Sequence, residues 1–157
     1  MPRIQIELVN KTELAPKVYL LTFKTDSELE YTPGQFLSVE IEPKVNRPYS
    51  ISYLGKNIPP FETGSELLGN LSNGNYISLM ISTKPGGVAS VFFDEITVGA
   101  KLNAIGPSGR FALINDEKPK VFVATGTGLA PFVSMVHTIL KTNPNAKLDV
   151  FFGCWDL

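Results

Sequence analysis

Along the first two thirds of the chain, apolar and polar side chains alternate in short runs broken by glycine and proline. Alternation with a period of two marks strands that bury one face. Arg3–Leu8, Val18–Thr25, Gln35–Ile41, Tyr49–Tyr53, Tyr76–Ser82 and Lys101–Ile105 all read this way. Pro33-Gly34 predicts a tight turn before the third of them, and Asn73-Gly74-Asn75 one before the fifth. Lys84-Pro85-Gly86-Gly87 breaks the pattern, Val88–Glu95 reads as a short helix or a turn, and Gly106-Pro107-Ser108-Gly109 ends the last strand. Strands of this kind, closely spaced, predict a closed antiparallel β-barrel, six-stranded and of Greek-key type. Leu54–Asn73 has no period; it is expected to be a surface excursion or a flap.

The pattern changes after the polar stretch Asn115–Pro119. Val121–Ala124 is apolar throughout, as in a strand covered on both faces. Thr125-Gly126-Thr127-Gly128 predicts a sharp turn. Leu129–Lys141 has apolar residues at helical spacing (Phe132, Val133, Val136, Ile139, Leu140), with Pro131 in the first turn where its missing N–H costs nothing. Asn143-Pro144-Asn145 stops the helix, and Leu148–Phe152 is a second apolar strand. Strand, glycine turn, helix and strand make a βαβ unit. The expected organisation is a barrel over 1–114 and a partial α/β domain over 119–157.

The 157 residues suffice for one domain and a fraction of another. A net charge of −1 gives no field that drives the chain onto nucleic acid or anionic membrane, so a bound phosphate has to be held locally. No stretch approaches the roughly 20 apolar residues of a membrane span. The alternating N-terminus lacks the apolar block of a signal peptide, and a cytoplasmic location is expected. Cys154 is the only cysteine, which removes an internal disulfide and thiolate-held metal clusters; no metal site is expected.

Three segments carry candidate chemistry. In Arg47-Pro48-Tyr49-Ser50 the guanidinium offers a planar fork for a diphosphate, and Tyr49, two residues on in a strand, shares its face and presents a ring for stacking. Ser50 points the other way unless the strand twists or ends there. Alone, the four residues fit equally a surface arginine and a barrel-wall tyrosine. Lys84–Ser90 is a glycine turn leading into a possible helix start, where free N–H groups and the Ser90 hydroxyl can cradle a phosphate; it also fits a plain hairpin turn. In Ala124–Pro131 the glycines follow a buried strand and open a helix, the context of a nucleotide site.

Taken in order, Pro33-Gly34-Gln35-Phe36, Arg47-Pro48-Tyr49-Ser50, Gly86-Gly87-Val88-Ala89-Ser90, Gly106–Phe111 and Thr125–Pro131 resemble the ferredoxin–NADP⁺ reductase superfamily. Bacterial flavin reductases and oxygenase reductase components are the most similar in character. The resemblance implies FAD, or less often FMN, across the barrel. Arg47 would then hold the phosphates, with Pro48 between it and Tyr49, which would stack on the isoalloxazine. Ser50 would hydrogen-bond near flavin N5. Backbone from Leu79, Met80 and Ile81 would line the ribityl side, and Gly86, Gly87, Val88, Ala89 and Ser90 would cap the diphosphate. Gly126, Thr127 and Gly128 would shape the nicotinamide-nucleotide site, with Ser50 and Thr127 nearest the reacting atoms. The implied reaction is hydride transfer from NAD(P)H to the flavin, then electron passage to an acceptor protein or small acceptor.

The resemblance also implies more α/β domain than one βαβ unit. Trp155 stands where the family often has an arginine, and Cys154 reads as a strand-end residue, since a free cysteine is mostly a small buried hydrophobe. One helix covers one face of two apolar strands, so Phe122, Val150 and Phe152 are expected to lie bare, and the chain is expected to be a fragment or to pair with itself or a second chain. His137, with no partner in view, is expected on the helix surface. The alternative function is an electron-transfer flavin module without its own NAD(P)H oxidation; a barrel without cofactor is the third.

Overall fold

A computed structural model describes residues 2–55, 73–84, 86–114 and 116–154. Most of the 54–73 excursion, Pro85, Asn115 and Trp155 lie outside the described residues. The barrel strands are β1 (Arg3–Ala15), β2 (Val18–Glu30), β3 (Phe36–Glu42), β4 (Val45–Gly55), β5 (Asn73–Ser82) and β6 (Lys101–Ser108), with helix α1 (Val88–Glu95) between the last two. They close in the order β1-β2-β5-β4-β3-β6. Ile4, Ile6 and Leu8 point inward from β1 while Arg3 and Gln5 face out, the alternation that the sequence displays. Leu21, Phe23, Leu37, Val39, Ile51 and Leu79 complete the centre of the core, each fully buried. Phe93 of α1 plugs the barrel and is equally buried. Buried hydroxyls of the strands pair within the wall: Thr22 with Ser78 at 2.9 Å, and Ser52 donating to the Ser78 carbonyl at 2.9 Å.

Several elements run beyond their sequence signal. β1 and β2 continue as a ribbon to Ala15↔Val18, past the last alternating residues. Asn73-Gly74-Asn75 is strand rather than turn; at Gly74 a Cβ would lie 2.2 Å from the Gly55 carbonyl oxygen. β6 extends through Pro107 to Ser108, with a cis Gly106–Pro107 peptide.

The C-terminal part comprises β7 (Lys120–Thr125), a 3₁₀ turn (Gly126–Leu129), α2 (Ala130–Thr142) and β8 (Leu148–Gly153), the two strands pairing in parallel. α2 starts one residue later than expected because the glycine turn winds as 3₁₀. The expectation for Phe122 is corrected: it is 6% exposed, its ring 5.1 Å from that of Phe132 on α2. The helix lies over the Phe122 and Ala124 face, so the bare residues are Val121, Val123 and, in register with Val123, Phe151. Val150 and Phe152 are on the strand face of Phe122 and Ala124 and are nonetheless exposed, as expected. Cys154 does follow the end of β8, but it is exposed rather than buried.

His137 is likewise not on the open surface. It is partly buried, its Nδ1 is buried without a hydrogen-bond partner, and burial pushes its pKa below the usual 6.5. A lowered folded pKa means that the unfolded chain binds the proton more readily, so stability is held above about pH 6.5 and lost as pH falls through the folded value. Melting temperatures between pH 8 and pH 5 are expected to drop less on the acid side in His137→Leu than in the parent. Parallel curves for the two proteins would contradict this.

Candidate functional site

The site is built where one barrel ladder stops. β4 pairs with β3 over Val45–Ser50 and with β5 only over Ile51–Gly55. The β4–β5 ladder runs from Gly55↔Tyr76 to Ile51↔Leu79, and among the described residues it goes no further. β5 continues along β2 through Ser82. Beyond Ile51 the two strands therefore part and leave an open seam, edged by Arg47–Ser50 on one side and Met80–Ser82 on the other. Pro48, which has no N–H to donate, lies in the stretch that has left β5.

Side chains around the seam follow the strand alternation. Arg47 is exposed, its Nη1 donating to the Asn46 carbonyl at 3.0 Å. Tyr49, on the same face, is half-buried, its ring edge-to-face with Phe93 at 5.2 Å. Burial pushes the Tyr49 phenol up, and the Arg47 guanidinium opposes that shift from within electrostatic reach. Ser50 is half-buried at the point where the ladder opens. Leu79 and Ile81 turn their side chains into the core, while Met80 is only partly buried, so what they can offer the seam is backbone.

α1 follows β5 directly. Gly87 is its N-cap and no side chain caps it, so the N–H groups of the first turn stay open to an anion. Gly86, Gly87 and Val88 are exposed, Ala89 is half-buried, and Ser90 is buried at 8%. A Cβ at Gly86 or Gly87 would meet nothing within 4 Å. At Gly86 a φ of +72° explains glycine by itself, but Gly87 has φ −79° and ψ 177°, backbone that any residue adopts. Neither packing nor backbone calls for glycine there, and the open space is a cradle that a Cβ would fill.

The second glycine turn repeats the arrangement. Gly126 (φ +52°) and Gly128 are exposed with empty space at both Cβ positions, and Thr127 is half-buried between them. This turn packs on β5 and α2 packs on β4. Ser134 of α2, fully buried, donates to the Ile51 carbonyl at 3.3 Å, at the last residue of β4 that pairs with β5. Tyr31 is buried in the same interface, and that burial, opposed by the Ser134 hydroxyl, pushes its phenol up to about 12. Arg47–Ser50 and Met80–Ser82 thus edge the seam, the Gly126–Leu129 turn packs on β5, and α1 docks on Tyr49 through Phe93. The sequence did not point to Phe93, nor to the residues that hold α1, because they are supplied by distant strands. Among the described residues, no helix is long and apolar enough to cross a membrane.

A family described as "Oxidoreductase NAD-binding domain" matches residues 122–156. The chain is 30% identical over 135 residues to the ferredoxin–NAD(P)⁺ reductase component of the naphthalene 1,2-dioxygenase/salicylate 5-hydroxylase systems of a Ralstonia species, covering 85% of this chain and 36% of that protein. It is 28% identical to the toluate 1,2-dioxygenase electron transfer component of Pseudomonas putida, covering 95% of this chain and 40% of that one. The chain therefore spans well under half the length of these relatives. Among solved structures, the flavohem-like FAD/NAD binding domain of a Vibrio cholerae nitric oxide dioxygenase superposes with a TM-score of 0.77 at 21% identity, covering 96% of this chain and 62% of that one. The ferredoxin reductase in carbazole 1,9a-dioxygenase also gives 0.77 at 21%, covering 98% and 42%.

Proposed function

We propose that this chain, which belongs to the ferredoxin–NADP⁺ reductase superfamily, binds FAD across the open seam of its barrel and works in electron transfer from NAD(P)H to an acceptor. The observation that carries this is the seam itself: a barrel whose β4–β5 ladder stops at Ile51↔Leu79, flanked by a half-buried ring at Tyr49, a guanidinium at Arg47 and a glycine turn with open space at Gly87, where neither packing nor a positive φ calls for glycine.

In this reading Tyr49 stacks on a flat ring, backed by Phe93, and Ser50 offers a hydrogen bond at the ring edge. Backbone of Leu79, Met80 and Ile81 lines the seam. Arg47 and the N–H groups of Val88, Ala89 and Ser90 neutralise a diphosphate, with Gly86 and Gly87 leaving room for it. Gly126, Thr127 and Gly128 admit the nicotinamide end of the reductant. Bound FAD supplies the redox chemistry; the protein supplies position and electrostatics. The relatives named above as reductase and electron transfer components of dioxygenase systems support a protein acceptor. The division into a flavin domain over 1–114 and a nucleotide-binding portion from 119 belongs to the same proposal, as does cover for Val121, Val123 and Phe151 by further chain or a second subunit.

The test is a visible spectrum with and without added FAD, followed by NADH or NADPH without oxygen. The proposal expects a yellow protein that bleaches. A yellow protein that keeps its colour would support the electron-transfer module without its own NAD(P)H oxidation. A protein that takes up no flavin would overturn both.

A further inference from the structure

We infer that Lys11, on β1 and distant in sequence from every glycine turn, is a positioning residue for the pyrophosphate of the dinucleotide cofactor. The inference rests on the flavin reading above and adds to it the device that aims α1. Lys11 is half-buried, and its Nζ donates to three carbonyls at the C-terminal end of α1: Phe93 at 3.0 Å, Asp94 at 2.7 Å and Ile96 at 3.2 Å. All three ammonium donors are thereby used on one helix end. The same Nζ lies 4.7 Å from the centroid of the Tyr19 ring, which shields it from water on that side.

This contact does two things. It satisfies carbonyls that the helix cannot satisfy internally. It also places a positive charge on the negative end of the helix dipole, which leaves the positive N-terminal end less opposed. α1 has eight residues, a length of about 12 Å. Its ends are farther apart than the screening length of about 8–10 Å in water, so Lys11 bears on the N-terminal end chiefly by fixing where the helix points. No acidic residue stands in the first turn to weaken that end.

A second anchor works through Asp94. Its carboxylate accepts hydrogen bonds from Lys17, from the Tyr19 hydroxyl at 2.9 Å and from Thr83 Oγ1 at 3.3 Å. Lys17 first, then Tyr19, holds this carboxyl below the usual range. Thr83 opens the glycine turn, and its N–H donates to the Lys17 carbonyl at 2.9 Å. The turn is thus tied at its start to the same charged cluster that holds the far end of the helix. Lys11 and Asp94 fix both ends of the segment from Thr83 to Glu95, and the freely exposed Gly86–Val88 stretch between them is what faces the anion. The Phe93 carbonyl accepts from Lys11, but its side chain is fully buried in the barrel core, which holds the ring face behind Tyr49 without the Lys11 charge.

That separation gives the test. Dissociation constants for FAD and for riboflavin, which has the ring but no phosphate, are to be measured for the parent, Lys11→Met and Lys11→Arg by flavin fluorescence. Lys11→Met is expected to weaken FAD about tenfold and to leave riboflavin within about twofold; Lys11→Arg, which keeps charge and donors, is expected to recover most of the FAD affinity. Unchanged FAD affinity in Lys11→Met, or an equal loss for both flavins, would overturn the inference while leaving the flavin reading intact. A parent that binds neither flavin would overturn both.

Discussion

Replacing Gly34 by alanine is expected to remove about 3–5 kcal/mol of stability, roughly a 10 °C fall in melting temperature for a chain of this size. Gly34 has φ +104°, and a Cβ there would sit 2.1 Å from the Phe111 carbonyl oxygen and 2.5 Å from Met135 Cε. The methionine is flexible, but the backbone oxygen is not free to retreat. Phe111 lies two residues from Leu113, whose N–H is bonded to the Pro33 carbonyl at 3.1 Å. Next to Gly34, the Gln35 carbonyl accepts from Ile51 N–H at 2.9 Å, so the turn also clamps the residue where the seam opens. Gly99→Ala is the comparison: its φ is +93° but the space around it is empty. That variant carries only the backbone cost, about 1 kcal/mol. Urea unfolding of the two variants separates contact from conformation, and equal losses would show that the close approach contributes nothing.

Gly87→Val is expected to do the reverse: it should leave the fold within about 1 kcal/mol of the parent, the cost of a poorer N-cap, and weaken FAD binding about a hundredfold. Gly87 sits in extended backbone with nothing within 4 Å of a Cβ position, so the chain folds around valine without strain. A branched side chain would stand in the path of a diphosphate approaching the first-turn N–H groups of α1, and would hold it off at a distance where charge-assisted hydrogen bonds are lost. Thermal melting without flavin and fluorescence titration with FAD measure the two effects separately. A valine variant that binds FAD as the parent does would remove the glycine turn from the site.

How much was legible in the sequence follows from what each feature depends on. Ile4, Ile6 and Leu8 display their inward face in one dimension, and the barrel strands were found wherever such alternation held. The first half of β4 was not, because Val45–Pro48 is strand by virtue of β3 and carries no alternation of its own. The helical spacing of Phe132, Val133, Val136, Ile139 and Leu140 predicted α2. Yet its most deeply buried residues are Ala130, Pro131, Ser134 and Met135, because the helix touches two bodies at once. Its spaced apolar stripe, with Phe132 on Phe122, lies toward its own sheet, while Ser134 and Met135 lie toward the barrel. The assignments of Phe122 and His137 failed for that reason. Arg47, Tyr49 and the glycine turns were legible as residue types in sequence order. The seam that gives them a purpose is a relation between β4 and β5 and has no signature in either strand.

That seam also links cofactor supply to colloidal behaviour. A closed barrel protects itself from its neighbours because it has no strand edge to offer. This one keeps two short stretches of backbone that are paired on one side only, Arg47–Ser50 with β3 and Met80–Ser82 with β2, within an otherwise sealed wall. On the proposed reading the flavin serves as the missing rung between them. Apoprotein made faster than flavin reaches it then presents edges that other copies can pair with, so the solubility of the freshly made chain depends on flavin as well as on folding.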